Sequence, residues 1–504
     1  MNTGLIDTFN ILHTFCEARQ IETWLVGGAA RDLALGLSPY DIDLAVPVDG
    51  LALARDLADT LGGSFVALDA ERGTGRVVVT LPEHTAPLTI DIVQLRAPTI
   101  AEDLRLRDFT INALAVPLPR VATDPLPLPP DVYLDPCDGL PDLAQRLLRP
   151  CLPSSLQDDP VRMLRAMRLA AALDLQIAPD LDAALRRDAA LIVQPAAERV
   201  RDELLRLLDL PTCATWLIYM DEVRLLTRIF PELESSRNCE QPIIHFLPVL
   251  GHILETVTCV EWLLAPLVVP SASPRLRLPV AVQTYPNLSR ELVQQSALRR
   301  HFDERGKHGF RRMALFKLAA LLHDNAKPQT KQPKPGGGVT FYGHQTEGAW
   351  VAGEIARRLK LSRQAGHYVA GVVREHMRPG QLRDAHDVTA RAFVRFFRDT
   401  GDAGPDVLIH SLADHMAVRG PLIGPVDWQY HLEWANRLLD SYFRPPAEEV
   451  GPLINGNDLM AELNVSSGQQ LGEMLRELHE AQAAGEISTR SEALELARKL
   501  LARR

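Results

Sequence analysis

The hydrophobic pattern of this chain changes part-way along it, and that change limits the folds open to the sequence. Over residues 1–116, short runs with strand-like alternation follow runs with helical periodicity. From Asp159 onward, apolar residues recur almost to the end with the i, i+3, i+4 spacing of helices. The pattern therefore predicts an α+β N-terminal head, in which helices accompany a mixed sheet, followed by an all-α neck, body and tail.

The predicted elements of the head alternate between the two types. Helices are predicted over Ile6–Ala18, from Ala30 onward and over Leu51–Leu61. The predicted strands are Thr23–Val26, Asp41–Val46, Ser64–Leu68, Arg76–Leu81 and Leu88–Arg96. Prolines dominate Pro117–Pro136, and because proline fits neither a helix interior nor a central strand, we expect a surface connection there.

The second part of the chain is predicted to be helical with two interruptions. The predicted neck helices are Met163–Leu175, Leu181–Leu191 and Arg199–Leu208. The basic segment Ser271–Lys317 is predicted to be irregular, and the proline- and glycine-containing segment Lys331–Gly338 is predicted to be a flexible loop. A final pair of polar helices is predicted over Gly456–Arg504.

Length, charge and cysteine content narrow the class of protein. At roughly 100–200 residues per domain, 504 residues suggest about three or four domains. The formal charge of −10 excludes a histone-like basic protein, although a local basic face can still bind nucleic acid. The six cysteines form no CxxC pair, and the longest strongly apolar run, Trp262–Pro270, is shorter than the ~20 residues that span a bilayer. We therefore expect a cytoplasmic protein that does not enter a membrane.

A glycine pair between a predicted strand and helix is followed by two closely spaced aspartates. Gly27 and Gly28 let backbone N–H groups approach a ligand, and the helix N-terminus behind them favours phosphate. Asp41 and Asp43 lie two apart on a predicted strand, so their side chains share one face and repel each other unless a cation lies between them. Hard carboxylate oxygens suit Mg²⁺, so the sequence predicts a magnesium site here.

A third aspartate on another predicted strand, Asp91, can complete a two-metal site. Such a site activates a 3′-hydroxyl, aligns it with an α-phosphate and neutralises the leaving pyrophosphate. The alternative is that Asp41 is a turn residue and that Asp43 and Asp91 are solvated positions on strand faces. The neighbouring glycine pair favours nucleotide transfer over that alternative.

Two charged residues downstream, Asp159 and Arg162, are spaced to share one face of a helix. A carboxylate acceptor and a guanidinium donor together pair with the polar edges of cytosine or adenine and reject the reversed pattern of uracil and guanine. The alternative is a helix N-cap that forms an i, i+3 ion pair.

A His-Asp pair, His323 and Asp324, stands at the end of an apolar predicted helix. Histidine and aspartate together bind a divalent metal when other helices supply further ligands. The candidates for these further ligands are His252, His344, His376 and Asp414. The alternative is a buried His–Asp hydrogen bond without a metal.

These motifs resemble those of the class II tRNA nucleotidyltransferase and bacterial poly(A) polymerase family, in its HD-domain-containing form. The Gly27-Gly28, Arg31-Asp32 and Asp41-x-Asp43 pattern is similar to the catalytic motif of that family. The segment Arg107-Asp-Phe-Thr-Ile-Asn-Ala113 matches its second signature, and Asp158–Arg165 resembles its base-reading motif. The resemblance implies that Asp41, Asp43 and Asp91 are catalytic. It implies that the nucleotide is bound by Gly27, Gly28, Arg31, Arg107, Asp108, Asn112, Asp159, Arg162 and Arg165.

The resemblance also implies a function, partners and domains. Enzymes of this family add CMP and AMP to the tRNA 3′ end from CTP and ATP without a template, so tRNA, both nucleotides and Mg²⁺ are the expected partners. The alternatives are a poly(A) polymerase, an A-adding or CC-adding enzyme, or an HD-type phosphohydrolase acting on RNA ends with its own divalent metal. The expected domains are a catalytic head (1–148), a base-reading neck (149–235), an HD domain (236–430) and a tRNA-binding tail (431–504).

Overall fold

The computed structural model describes residues 3–39, 41–80, 87–124, 126–268, 276–306, 309–384, 389–444 and 451–502. The chain divides into two compact units. The first comprises residues 1–196 and 222–228, and the second comprises residues 197–221 and 229–504. The finer division into four domains stays a prediction.

The first unit contains a six-stranded mixed sheet with helices packed against it. Its strands are β1 (Trp24–Val26), β2 (Asp41–Val46), β3 (Ser64–Asp69), β4 (Thr74–Val79), β5 (Leu88–Gln94) and β6 (Ala115–Pro117). The order is β3-β4-β5-β2-β1-β6, in which β2 and β5 are parallel and the other neighbours are antiparallel. A second, two-stranded sheet consists of β7 (Leu147–Leu148) and β8 (Gln176–Ile177).

Nine α-helices accompany these strands among the described residues up to 196, which confirms the predicted α+β head. They are α1 (Thr3–Glu17), α2 (Gly27–Ala34), α3 (Gly50–Leu61), α4 (Ile100–Arg105), α5 (Leu118–Thr123), α6 (Gly139–Ala144), α7 (Ser155–Asp158), α8 (Arg162–Leu173) and α9 (Pro179–Asp188).

The side chains of β2 alternate between the hydrophobic core of the head and a polar face of the sheet. Ile42, Leu44 and Val46 are buried in the hydrophobic core of the head. Asp41 is exposed and Asp43 is half-buried on the other face of the strand. Because successive side chains of a strand point to opposite faces, the apolar residues hold the two carboxylates in fixed positions.

The proline-rich segment is more ordered than the sequence predicted. Strand β6 pairs with β1 at the edge of the sheet, and Pro117 ends it where a missing N–H is tolerated. Helix α5 follows, with Pro119 in its first turn, where backbone N–H groups need no helical partner. Val121 and Tyr133 pack into the core of the head. The surface connection predicted over Pro117–Pro136 is therefore wrong over much of its length.

The second unit is built almost entirely from helices, as predicted. In chain order the remaining helices are α10 (Ala197–Leu208), α11 (Ala214–Glu222), α12 (Leu226–Ile229), α13 (Val249–Val268), α14 (Val280–Thr284), α15 (Gln295–Asp303), α16 (Arg312–Leu322), α17 (Lys327–Thr330), α18 (His344–Arg358), α19 (Arg363–Glu375), α20 (Arg378–Arg383), α21 (Ala390–Thr400), α22 (Gly404–Arg419), α23 (Pro425–Phe443), α24 (Gly456–Leu463), α25 (Gln469–Ala483) and α26 (Arg490–Ala502). Residues 226–228 of α12 belong to the first unit. Within the second unit, α16 packs against α13 and α19, and α22 packs against α13 and α23.

Helix α13 lies at the centre of this bundle. Among the described helices it is the one whose length and apolar composition would suffice to cross a membrane. Most of its side chains are buried within the protein, as in a core helix.

Three details of the helical part differ from the prediction. Helices α14 and α15 form, and α16 begins, within the segment predicted to be irregular, of which residues 271–275 and 307–308 lie outside the described residues. The predicted flexible loop is a hairpin of β9 (Gln332–Pro333) and β10 (Val339–Thr340). Within residues 451–502, which the structure describes, the tail contains three helices rather than two. Short elements carry too few apolar residues for their period to be recognised: α15 buries only Leu298 and Phe302.

Candidate active site and metal centre

Three neighbouring strands of the head bring charged side chains into one row. Asp43 on β2 lies directly opposite Asp91 on the parallel strand β5, and Asp91 lies directly opposite Arg76 on β4. Residues directly opposite each other in a sheet point to the same face, and Asp41 joins them from two positions earlier on β2. The structure thus brings the three aspartates singled out in the sequence to one face of the sheet. We call Asp41, Asp43 and Asp91 the aspartate row.

Arg76 offsets part of the negative charge of this row. Its Nε donates to Oδ1 of Asp91 at 2.7 Å, and its Nη2 donates to Oδ2 of Asp91 at 2.8 Å. This two-pronged ion pair uses both oxygens of the carboxylate and fixes its orientation. Asp91 is therefore held rigidly beside Asp43.

The electrostatics of the aspartate row favour the binding of a cation. Burial and the charge of Asp91 raise the pKa of the Asp43 carboxyl to about 6, and the charge of Arg107 offsets part of this rise. A divalent cation between the carboxylates would relieve the repulsion that raises this pKa. The donors are hard carboxylate oxygens, which fit Mg²⁺.

A turn at Gly27 brings Arg107 close to the aspartate row. Gly27 has φ +65°, and a Cβ there would lie 3.1 Å from Nη1 of Arg107 and 3.3 Å from Oδ2 of Asp43. A larger residue would displace both charged groups, so the position requires glycine for its shape as well as for its backbone conformation. Among the described residues, the buried Nε of Arg107 has no hydrogen-bond partner. This donor is therefore available to an anionic ligand.

A chain of hydrogen bonds joins four of the predicted nucleotide-binding residues. Nη1 of Arg31 donates to Oδ1 of Asn112 at 2.7 Å, and Nδ2 of Asn112 donates to Oδ1 of Asp108 at 3.1 Å. Arg165 completes this series of hydrogen bonds, since its Nη1 donates to Oδ2 of Asp108 at 3.0 Å. Gly28 lies beside it, since a Cβ there would be 3.5 Å from Nη2 of Arg31.

Asp108 is the charged centre of that chain. Burial alone would raise its pKa, but the charge and hydrogen bond of Arg165, with the bond from Asn112, hold the pKa of Asp108 below its usual value. The ionised carboxylate therefore orients Asn112 and Arg165.

Asp159 and Arg162 do not share a helix face, contrary to the prediction. Helix α7 ends one residue before Asp159, α8 begins at Arg162, and the backbone of Asp159 is extended, with φ −152° and ψ 95°. The cause is Pro160, because a residue that precedes proline is driven out of the helical region. Arg162 donates to the carbonyl oxygens of Ser155 and Leu106, each at 3.2 Å. The two side chains are thus presented from a turn between helices.

The second unit brings the six predicted metal ligands together inside its bundle. They form two sets, in each of which one ligand atom per residue lies within 4.8 Å of the others. The sets are His252, His323 and Asp414, and Asp324, His344 and His376. All six are buried except Asp414, which is half-buried. The sequence reasoning thus named residues that five separate segments of chain bring to one place.

Asp324 lies between the two sets. Its Oδ2 is 3.1 Å from Nε2 of His323 and 3.3 Å from Nε2 of His252. Its Oδ1 is 3.4 Å from Nε2 of His344 and 3.8 Å from Nε2 of His376. A carboxylate that turns one oxygen to each set is suited to bridge two ions.

Backbone carbonyls orient three of the histidines. The Nδ1 atoms of His323, His344 and His376 each lie 2.6–2.8 Å from the carbonyl oxygen three residues earlier. Such a bond fixes the tautomer and leaves Nε2 for a metal. Burial and the charge of His323 lower the pKa of His376 to about 3. Burial alone would also lower the pKa of His323, but Asp324 and Asp414 raise it to about 10. This nitrogen and oxygen set fits ions such as Zn²⁺, Mn²⁺ or Fe²⁺.

The sequence reasoning missed three side chains at these sites. Arg76 carries no motif, and only the register of β4 against β5 brings it to Asp91. Lys327 follows Asp324 by three residues, and its Nζ lies 2.6 Å from Oδ2 of that residue. His410 lies one helical turn before Asp414 on α22, and its ring is in edge-to-face contact with that of His323.

Comparison with known proteins assigns families to four regions of the chain. Residues 23–149 match the Poly A polymerase head domain, and residues 290–418 match the HD domain. Residues 174–236 match the "Probable RNA and SrmB- binding site of polymerase A", and residues 434–497 match tRNA nucleotidyltransferase domain 2.

Similarity also extends over the chain as a whole. The A-adding tRNA nucleotidyltransferase of Deinococcus radiodurans is 34% identical, and the match covers 93% of each chain. The chain belongs to the tRNA nucleotidyltransferase family. The CC-adding tRNA nucleotidyltransferase of Thermus thermophilus is 31% identical over 93% of this chain and 91% of that protein. A CCA-adding enzyme solved with ATP shares the fold, with a TM-score of 0.63 and 21% identity over 99% of this chain and 96% of that one.

Both sites of this tRNA nucleotidyltransferase lie within matched regions, and the resemblance predicted from the motifs is confirmed. The aspartate row, Gly27 and Arg107 fall within the head match. Five of the six HD ligands fall within the HD match, and His252 lies upstream of it. The tRNA nucleotidyltransferase family thus accounts for the combination of an α+β head and a helical HD bundle in one chain.

Proposed function

We propose that this protein adds CMP and AMP to the tRNA 3′ end without a nucleic-acid template, taking them from CTP and ATP and releasing pyrophosphate. The observation that carries the proposal is the meeting of Asp43, Arg107 and the left-handed turn at Gly27. A nucleoside triphosphate complements this arrangement, because its phosphates pair with the arginine and its metal pairs with the carboxylates.

The residues around the turn have separate parts in the reaction. Asp41 and Asp43 would hold Mg²⁺, which supplies the charge that activates the 3′-hydroxyl and neutralises the leaving pyrophosphate. Arg107 donates hydrogen bonds to the triphosphate, and the backbone at Gly27 and Gly28 allows close approach. Each of these groups acts on charge that develops as pyrophosphate leaves, so each contributes to the rate of transfer.

The hydrogen-bonded chain beside the turn orients the nucleotide. Asp108 holds Asn112 and Arg165 in place, and Arg31 fixes the other end of Asn112. Asn112 and Arg165 then meet the sugar and the base side of the nucleotide. Pre-oriented partners lower the entropy lost when substrate binds.

Asp159 and Arg162 select the base. A carboxylate acceptor and a guanidinium donor, presented from one turn, match the polar edges of cytosine and adenine. Arg162 is held by two carbonyl oxygens, which limits its movement and sharpens the choice.

A second candidate is addition of AMP alone or CMP alone. The observation that favours it is the coverage of the relatives: the A-adding and CC-adding enzymes described above match more than nine tenths of the chain. Both candidate functions use the same aspartate row. They differ in how many nucleotides are added in succession to the tRNA 3′ end.

The deciding experiment uses three labelled tRNA transcripts that end before CCA, after C and after CC. Each is incubated with purified protein, Mg²⁺ and CTP, ATP or both. Ordered addition of C, C and A followed by a stop supports CCA addition, and addition of A or C alone supports the specialised enzyme. No addition to any transcript would contradict nucleotide transfer altogether.

The raised pKa of Asp43 predicts an acidic limit to the reaction. The ionised carboxylate that Mg²⁺ needs is lost as the pH falls through about 6, so the rate at limiting Mg²⁺ should fall tenfold per pH unit below that value. Raising Mg²⁺ should move this limit to lower pH, because the cation competes with the proton. A limit near pH 4 at every Mg²⁺ concentration would contradict the assignment of Asp43.

We also propose that the HD bundle binds two divalent ions and hydrolyses phosphate esters at RNA ends. The two ligand sets and the bridging position of Asp324 support this. Bound ions would activate water and orient the phosphate, while Lys327 lies beside the bridging carboxylate to offset its charge.

Asp324→Asn is expected to weaken binding of both ions by at least about a hundredfold, because an amide cannot bridge two cations as a carboxylate does. The measurement is calorimetric titration of metal-free protein with Mn²⁺. Glu433→Gln, the same kind of change on the exposed face of α23, is the control and should bind as the unaltered protein does. Equal affinity in both variants would remove Asp324 from the centre.

A cytoplasmic location is part of this proposal, because the reaction needs tRNA together with CTP and ATP.

A further inference from the structure

His410 is a buried histidine to which the functions proposed above give no role. It lies on α22 and is completely buried. Among the described residues, neither Nδ1 nor Nε2 of His410 has a hydrogen-bond partner. Buried polar atoms in native proteins nearly always have a partner, so two orphaned nitrogens on one ring need a physical explanation.

The surroundings of His410 suggest that explanation. Its ring centroid is 4.7 Å from that of His323 and 5.6 Å from that of His376, in edge-to-face contacts. His323 belongs to one ligand set and His376 to the other. Asp414 follows His410 by one helical turn, so the two side chains lie on the same face of α22. His410 therefore lies at the junction of the two ligand sets.

His410 also differs from its neighbours in how it is held. The rings of His323, His344 and His376 are each fixed through Nδ1 by a backbone carbonyl. The ring of His410 has no such bond among the described residues, so either of its nitrogens can turn toward a ligand. Filling the core does not by itself explain a histidine at this position, because an apolar side chain of similar size would fill the same space without burying two polar nitrogens.

We infer that His410 is a further metal ligand of the HD centre, which it reaches from the junction of the two sets. The ions expected are those that accept imidazole readily, such as Zn²⁺, Co²⁺, Fe²⁺ or Mn²⁺. This inference rests on the proposed metal function of the HD bundle.

The test compares the full-length protein with His410→Leu. Both are stripped of metal and titrated with Co²⁺, while the bound ions are counted by elemental analysis and the visible absorption of Co²⁺ is recorded. We expect two ions in the unaltered protein. In His410→Leu we expect affinity for one of them to fall at least about tenfold, with a changed absorption spectrum.

Thermal unfolding supplies a readout that does not depend on activity. Without metal, His410→Leu should unfold at or above the temperature of the unaltered protein, because the change removes two unpaired buried nitrogens. The rise in unfolding temperature that Co²⁺ causes should be smaller in the variant, because binding to the folded state is weaker. Leu412→Met, a buried apolar change on the same helix, should leave metal binding unaltered.

The possible results are separable. Two ions bound by His410→Leu with unaltered affinity and spectrum would overturn the role of His410 while leaving the HD metal centre in place. No ion bound by the unaltered protein would overturn both. His410→Gln keeps a polar side chain at the position should the leucine variant fail to fold; it too should lose affinity for one ion, and unaltered affinity in it would also overturn the inference.

Discussion

Asp43→Asn is expected to reduce nucleotide incorporation by at least about a thousandfold while leaving tRNA binding within about threefold. The side chain keeps its shape but loses the charge that would hold Mg²⁺ in the proposed reaction, beside the turn at Gly27. Metal ions contribute several kcal/mol to such reactions, and each 1.36 kcal/mol is about tenfold in rate. The measurement is single-turnover incorporation of labelled CMP or AMP, with tRNA binding followed separately by filter retention.

Loss of folding does not explain this expected result. Asp43 is an acid whose pKa burial raises, so its ionised form destabilises the folded state at neutral pH and the amide removes that cost. The unfolding temperature of Asp43→Asn should therefore equal or exceed that of the unaltered protein. Asp59→Asn, the same chemical change on the exposed face of α3, should leave incorporation unaltered. Incorporation retained by Asp43→Asn would remove this residue from the catalytic machinery.

Lys317→Met is expected to lower the free energy of unfolding of the second unit by about 3–5 kcal/mol. Lys317 and Glu261 form an ion pair at 2.8 Å, and each side chain is only 1% exposed. The lysine also donates to the carbonyl oxygens of Leu210 and Pro211. Methionine has similar length but no charge, so it leaves the Glu261 carboxylate buried without its cation. Urea unfolding followed by tryptophan fluorescence measures the loss.

A double variant separates the charge from the packing. Oε1 of Glu261 accepts a hydrogen bond from the backbone N–H of Cys213 and Oε2 accepts one from that of Ala214, and the single oxygen of a glutamine can keep one of the two. Lys317→Met combined with Glu261→Gln should therefore recover part of the stability lost in the single variant, because it removes the unpaired buried charge. A loss below about 1 kcal/mol in Lys317→Met would mean that the ion pair is not what stabilises this part of the bundle.

The candidate active site could be predicted in large part because its residues cluster in short motifs. Gly27, Asp41 and Asp43 were identified from local pattern and Arg107 from the family resemblance, and the structure brings Asp43 and Arg107 to the same glycine. The relation of Asp159 to Arg162 was predicted wrongly, since spacing alone suggested a shared helix face. The effect of Pro160 on the residue before it decides the geometry instead.

The HD ligands show where prediction from sequence stops. The sequence identified all six, but their arrangement into two sets around Asp324 depends on how helices far apart in the chain pack together. His410 escaped notice because a single histidine in an apolar helical pattern resembles a core residue. Its two unpartnered nitrogens are visible only when the neighbouring helices are present.

By itself the sequence determined the α+β head, the helical remainder, the glycine turn and the paired aspartates, and it named the six residues that meet inside the HD bundle. The helices, the strands and the glycine and aspartate motifs depend on periodicity and spacing over a few neighbouring residues. Such local patterns are present in the sequence whatever tertiary contacts the chain makes. Only the tertiary structure decided the bond between Arg76 and Asp91, the bridging position of Asp324 and the isolation of His410. Strand register and helix packing create these contacts between residues distant in sequence, and no local pattern records which partners they bring together.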